Sequence, residues 1–246
     1  MSTAHFVDTP SFIRFVMMSG SPRYVFICPQ DFEKTRFLET LKAFLDVNLA
    51  GPGDTSHQQS LISNLKVEKD KALCETFKGQ FPVLFMSLKT VTGSTFDNAK
   101  SALADLIASL AAAHAYLLDS PRLRDDDKLF LRHCLSRDYL LDPIHVMAMK
   151  KFPARLPLFL AKHFDRRVVL FIDDWDEPLR AATEAGFYPE MLDFMESFLS
   201  FIECRSALTV RGLPILKKTL LMGTRNVKLG ELFVDTHYFD VRTITL

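Results

Sequence analysis

Tyr24-Val25-Phe26-Ile27-Cys28-Pro29-Gln30-Asp31-Phe32-Glu33-Lys34-Thr35-Arg36-Phe37-Leu38 is the stretch on which the reading of the fold turns. An apolar run from Tyr24 to Cys28 ends in a short polar loop. The loop delivers a Lys-Thr pair to a segment with Phe37, Leu38, Leu41, Phe44 and Leu45 at helical spacing. Strand, turn, then a lysine and a hydroxyl where a helix begins is the layout of a phosphate-binding loop. There, successive backbone N–H groups converge on phosphate oxygens at the positive end of the helix. The usual pattern is G-x-x-x-x-G-K-[ST], whereas Cys28 and Glu33 stand at both glycine positions of this chain. The stretch therefore speaks more firmly for a fold than for an activity.

A second stretch supplies the partner such a loop needs. Val168-Val169-Leu170-Phe171-Ile172, the most hydrophobic strand candidate, stops abruptly in Asp173-Asp174-Trp175-Asp176-Glu177-Pro178. A carboxylate at a neighbouring strand tip is what holds magnesium beside a phosphate loop, and Asp173 fits. Asp174 or Asp176 is then available to orient an attacking water. Ala207 to Val210 reads as a fourth strand followed at once by Arg211-Gly212, which points Arg211 toward the same crevice at the strand ends. Each feature has a plainer reading: Lys-Thr at a helix start arises by chance, and an Asp after a buried strand caps the next helix. Glu33 opposes phosphate binding. At about 4 Å and an effective dielectric near 20, a carboxylate costs on the order of 4 kcal/mol per phosphate charge, roughly a thousandfold in affinity. Asp31 adds a further negative charge to the loop. Nucleotide binding is weakened on this reading and hydrolysis is disfavoured.

The remaining pattern alternates strands with helices. Helices are expected over Phe6–Met18 (a short helix or a strand-helix lead-in, with Pro10 near the start), and over Phe96–Leu118, Leu129–Leu141, Ile144–Phe164 and Tyr188–Ile202. The third and fourth of these should be interrupted by Pro143, Pro153 and Pro157. Phe81 to Leu88 reads as the second strand, Pro214 to Met222 as helix-like, and Val241 to Leu246 as a last edge strand. Gly51-Pro52-Gly53-Asp54 is a turn cluster, Leu61 to Val67 a short ordered segment, and Ser120 to Lys128 an exposed connection whose acidic triplet lacks any paired metal-ligand pattern. The expected fold class is α/β: a three-layer sandwich of the P-loop NTPase kind, with a mainly parallel sheet and helices on both faces. Residues 1–246 form one domain in this reading, with a helical elaboration around 96–164.

Bulk properties exclude other classes. The 246 residues carry 30 basic and 30 acidic side chains, which argues against direct nucleic-acid binding. The most apolar helix, Ser101 to Leu118, contains Asp105 and His114, so no membrane span is expected. Cys28, Cys74, Cys134 and Cys204 have no C-x-x-C spacing, which favours a reducing, intracellular setting, cytoplasmic or nuclear, over disulfides or zinc. No G-x-S-x-G elbow is present, and the seven histidines form no H-E-x-x-H set.

From Phe6 to Leu232 the order of motifs resembles the AAA-ATPase-like domain family, P-loop proteins often joined to a nuclease-like domain of the PD-(D/E)xK type. Phe6-Val7-Asp8-Thr9 is similar to the family's opening Tyr-Val-Asp-Lys-Thr, without the lysine. Cys28 to Leu41 lies where the family has Arg-Pro-Arg-Arg-Phe-Gly-Lys-Ser and its helix, matching at Pro29, Phe32, Lys34 and Thr35. Phe81 to Lys89 resembles the family's second strand, Val168 to Leu179 its Leu-Ile-Asp-Glu-Tyr-Asp-x-Pro-Leu segment, and Leu208-Thr209-Val210-Arg211 its Leu-Thr-Gly strand end.

The resemblance implies ATP and Mg2+ as cofactors, bound by a loop with a degenerate Walker A sequence. Candidate cofactor-binding residues are Pro29, Phe32, Glu33, Lys34 and Thr35, and candidate metal ligands are Thr35 and Asp173. Candidate catalytic residues are Arg211 and Asp174, the latter where the family has glutamate and one methylene shorter. Cys28, Gln30 and Asp31 replace arginines of the family loop and Glu33 its glycine, so the basic cradle has become neutral to acidic. No counterpart of the nuclease-like part is expected before Leu246. Two functions are therefore carried forward: a diverged Mg-ATP-binding domain, and a pseudo-ATPase that uses the fold as a protein-interaction scaffold without nucleotide.

Overall fold

The computed structural model describes residues 10–29, 32–47, 66–203, 209–224, 229–234 and 236–244. The turn cluster at 51–54, most of the segment 61–67, and Gln30 and Asp31 of the loop lie outside these residues. The described chain runs α1 (Pro10–Met18), β1 (Arg23–Ile27), α2 (Lys34–Leu45), α3 (Lys71–Phe77), β2 (Val83–Ser87), α4 (Phe96–Ala113), α5 (Asp125–Cys134), α6 (Arg137–Leu141), α7 (Val146–Phe164), β3 (Val168–Asp173), α8 (Glu177–Ala185), α9 (Tyr188–Leu199), β4 (Thr209–Val210), β5 (Leu213–Pro214), β6 (Leu216–Gly223), α10 (Leu229–Leu232) and β7 (Asp240–Thr243).

The main sheet has five strands in the order β2-β3-β6-β1-β7, every neighbouring pair parallel. Successive side chains on a strand point to opposite faces, and that period divides the core in two. Val168, Leu170 and Ile172 of β3 join Val25, Leu84, Met86 and Leu221 against the helices of the 96–199 region. Val169 and Phe171 face the other way, with Tyr24, Phe26, Leu220 and Met222, against α1, α2 and α3. All six residues of β3 are buried, because helices cover both faces of a parallel sheet. The result is the α/β three-layer arrangement expected from the sequence.

Three expectations are corrected. Pro214 to Met222 is not helical: Leu216–Gly223 is the strand between β1 and β3. Lys218 hides the apolar run in the sequence yet is buried, because its ammonium donates to the carbonyls of Ser19 (2.8 Å) and Ser21 (2.6 Å). Thr209–Val210 is accordingly not a strand of this sheet. It pairs antiparallel with Leu213–Pro214 across a turn made by Arg211 (φ 50°) and Gly212 (φ 74°), the positive-φ pair that tight hairpins favour. Pro153 and Pro157 do not interrupt α7, which runs 19 residues with both prolines on its buried side. Packing there offsets the backbone bonds a proline removes.

Nor is the acidic segment an exposed connection throughout. Asp125-Asp126-Asp127 forms the first turn of α5, where negative charge is favoured. Asp127 is buried and accepts from Arg155 (3.2 Å) and Lys162 (2.6 Å) on α7. Asp127→Ala is expected to lower stability by about 2 kcal/mol, since two charge-assisted bonds are lost to a buried acceptor. Urea unfolding reads this directly. An unchanged midpoint would mean that the contact is worth no more than a solvent-screened surface pair.

Candidate functional site

The site is built where three strand ends meet. Ile27 of β1 pairs with Gly223 of β6, and Asp173 of β3 pairs with the neighbouring Met222. The ends of β1, β6 and β3 therefore reach the same rim. Beyond β1, the Cys28 amide donates to the Gly223 carbonyl (2.9 Å), and Phe32 turns back so that its amide donates to the Pro29 carbonyl (3.1 Å). Cys28 and Phe32 are buried, with Phe32 packed on Phe37 of α2 at 5.8 Å between ring centroids. Burial pushes the Cys28 thiol up to about 12, so it is a packing group and not a nucleophile.

Glu33 precedes α2 with φ −71°, and its side chain makes no capping bond. That φ is open to any residue, so this position has no conformational need for glycine. The Glu33 carboxylate lies 3.4 Å from the Arg36 guanidinium, with both side chains more than half exposed.

The two predicted segments meet. The Thr35 hydroxyl donates to Asp173 Oδ2 at 2.5 Å, and Lys34 Nζ lies 3.2 Å from Asp174 Oδ1. Asp174 reaches Lys34 because its backbone is left-handed (φ 48°), a conformation that aspartate tolerates better than most residues. The chain then folds across the end of β6, where Gly223 is indispensable. A Cβ there would stand 2.5 Å from Asp176 Oδ1 and 2.6 Å from Trp175 Nε1. Asp176 Oδ2 accepts from the Thr224 amide (2.6 Å) and hydroxyl (2.7 Å). Above these groups opens a cleft of about 700 Å³ lined by Lys34, Thr35, Lys89, Asp174, Arg180 and Thr224, among others.

Residues 2–233 match the family model described as Predicted AAA-ATPase. The chain belongs to the AAA-ATPase-like family. Membership points to a nucleotide-binding domain. No curated protein and no solved structure matches this chain.

Within this AAA-ATPase-like domain the residues singled out from the sequence divide. Lys34, Thr35, Asp173 and Asp174 converge, and Phe32 and Glu33 line the cleft. Pro29 contributes through its carbonyl bond to Phe32. Arg211 does not join them. It sits in the β4–β5 turn and pairs with Asp165 through Nε at 3.1 Å, ahead of the start of β3, while the cleft lies beyond its end. A strand of this length separates the two by roughly 17 Å. The rule that placed Arg211 in the crevice required its strand to belong to the sheet. Asp176, the second candidate for orienting water, is already held by Thr224. Lys89, Arg180 and Thr224 line the cleft, and the sequence alone assigns none of them a role. Thr224 comes after a strand whose sequence reads as helix, whereas Lys89, just past β2, is within reach of the strand-end rule that finds Asp173.

Among the described residues there is no group of three or more His, Cys, Asp or Glu side chains set to hold a metal. No helix among them is long and apolar enough to cross a membrane. Asp173 is fully buried, and its carboxyl is raised to about 6, mainly by burial and further by Asp174, with the Thr35 bond and Lys34 opposing. An acid whose native pKa exceeds its unfolded value keeps its proton longer in the native state. Its contribution to stability therefore falls as pH rises from about 4 toward 6. Asp173→Asn is expected to stabilise the ligand-free protein at pH 8 by on the order of 2 kcal/mol and to flatten the melting curve against pH in that window. The Thr35 hydroxyl can turn to accept from the new amide. A variant melting below the parent at pH 8 would show that no unfavourable charge is held there.

Proposed function

We propose that this domain binds Mg-ATP in the cleft beyond β1, β6 and β3, and that it turns the nucleotide over slowly. The observation that carries the reading is the convergence of Lys34, Thr35 and Asp173 at one rim of a parallel sheet. The ammonium of Lys34 would bind phosphate oxygens. Glu33 does not cap α2 and the Lys34 amide donates to the Phe32 carbonyl (2.7 Å), so the Thr35 and Arg36 N–H groups of the first turn are the ones left for an anion.

The donor set suits magnesium, which takes one or two protein oxygens and completes its shell from water and phosphate. Thr35 Oγ1 and Asp173 Oδ2 are two such oxygens in contact, and a buried carboxylate with a raised pKa is stabilised by a cation. When bound, the ion would neutralise charge on the phosphates. Slow turnover follows from the carboxylates: Asp174 is held by Lys34 and Asp176 by Thr224, so neither is poised as a base. The family membership supports nucleotide binding in general.

The scaffold reading draws on one observation. Lys34 and Thr35 already have partners within the chain, and a folded, self-satisfied site needs no ligand. A thermal-shift titration with Mg-ATP separates the two. The nucleotide reading expects a rise in melting temperature at millimolar Mg-ATP that Lys34→Ala abolishes, and no rise would leave the scaffold reading.

The charge at Glu33 is testable in the same assay. Its carboxylate points to Arg36 and solvent, so the thousandfold penalty that the sequence alone suggests shrinks to that of an exposed pair. Glu33→Gln is expected to change Mg-ATP affinity by no more than about fivefold. A hundredfold gain would mean that the carboxylate faces the phosphates.

A further inference from the structure

We propose that Lys89 is a second phosphate-binding cation of this cleft, and that with Lys34 it selects a chain of phosphates over a single phosphate group. The proposal rests on the nucleotide reading above and adds a residue and a selectivity to it.

The other cations that line the cleft are committed. Lys34 lies 3.2 Å from Asp174 Oδ1, and Arg36 lies 3.4 Å from Glu33. Arg180 donates to Glu177 through Nε (2.8 Å) and to Glu184 (2.5 Å). Lys89 lines the same cleft, and its ammonium has no ion-pair or hydrogen-bond partner among the described residues. It is the one cation among the described residues of this rim that can meet an anion without first giving up a carboxylate.

Its backbone is held, so the lysine is a built feature of the site and not a loose surface group. Ser87 at the end of β2 pairs with Asp173. The Leu88 amide continues that ladder by donating to the Asp173 carbonyl (2.9 Å), and the Val91 amide closes the turn on the Leu88 carbonyl (2.9 Å). Leu88 and Val91 are both fully buried. Lys89 lies between two anchors, one of which bonds the backbone of the buried site carboxylate. Only its side chain is left to move.

Sheet order sets the selectivity. Lys34 follows β1 and Lys89 follows β2, with β6 and β3 between them. Three strand spacings, about 14 Å, separate the ends of β1 and β2, and Lys34 Nζ covers part of that span by reaching Asp174, just past β3. A lone phosphate seated at the start of α2, which opens with Lys34, meets that ammonium first. A chain of phosphates, lying along the rim from the start of α2 toward β2, meets both.

Titration calorimetry on the full chain tests this with Mg-ATP, AMP and inorganic tripolyphosphate, using the parent protein, Lys89→Met and Lys89→Arg. Lys89→Met is expected to weaken Mg-ATP and tripolyphosphate about tenfold and AMP by less than about twofold, with Lys89→Arg near the parent on all three. Lys89 is exposed, so each ligand-free variant should melt within about 2 °C of the parent, which separates a lost contact from a lost fold. If the parent binds Mg-ATP and Lys89→Met binds it as tightly, or loses as much on AMP, the role of Lys89 is overturned and the nucleotide reading stands. A parent that binds tripolyphosphate and no nucleotide overturns the nucleotide reading; a tenfold loss on tripolyphosphate in Lys89→Met then upholds Lys89, and no loss overturns it. A parent that binds none of the three overturns both.

Discussion

The contact between the Thr35 hydroxyl and the Asp173 carboxylate is the constraint on which the site depends. The two residues are 138 positions apart in sequence and follow strands that are not neighbours. They meet because β6 lies between those strands in a register that brings all three ends to one rim. Gly223, the last residue of β6, lets the Asp173–Asp176 turn close over it, and any side chain there would strike Trp175 and Asp176. A fully buried carboxylate, a left-handed aspartate and a glycine at the strand end thus serve one local arrangement. The buried carboxylate and the left-handed aspartate each cost stability.

Much of this is legible in the amino-acid sequence, for a physical reason. Strands buried on both faces read as uninterrupted apolar runs, and Tyr24–Ile27 and Val168–Ile172 are such runs. The polar residues just after such a run sit at a strand end, and that logic finds Lys34, Thr35 and Asp173. The logic fails at β6. Lys217, Lys218 and Thr219 break its apolar pattern, and only the fold shows that Lys218 satisfies its charge on the carbonyls of Ser19 and Ser21. With β6 hidden, Thr209–Val210 reads as the fourth strand, and Arg211 goes to the wrong end of the sheet. Thr224 is lost by the same error. The prolines of α7 mislead in a similar way, because the packing that tolerates them lies on other elements.

The loop before α2 has Cys28 and Glu33 where a glycine-rich phosphate loop has glycines. Glycine-rich phosphate loops gain closeness and flexibility, while this one is pinned by Cys28 and Phe32 in the core and carries an acid that finds Arg36 in solvent. The backbone at Glu33 needs no positive φ, so that position has no conformational need for glycine. The electrostatic change is milder than the sequence suggests. Within the cleft Asp174 pairs with Lys34 and Thr224 holds Asp176. In this AAA-ATPase-like chain both carboxylates are therefore engaged by groups of the cleft itself.

A double-mutant cycle on Mg-ATP affinity, Thr35→Val against Asp173→Asn, tests most directly that these two side chains act as one site. If they share a single ion and phosphate group, the second substitution costs little once the first is made, and the coupling exceeds about 1 kcal/mol. Losses that add to within a few tenths of a kcal/mol, or a parent protein indifferent to Mg-ATP, would contradict the account.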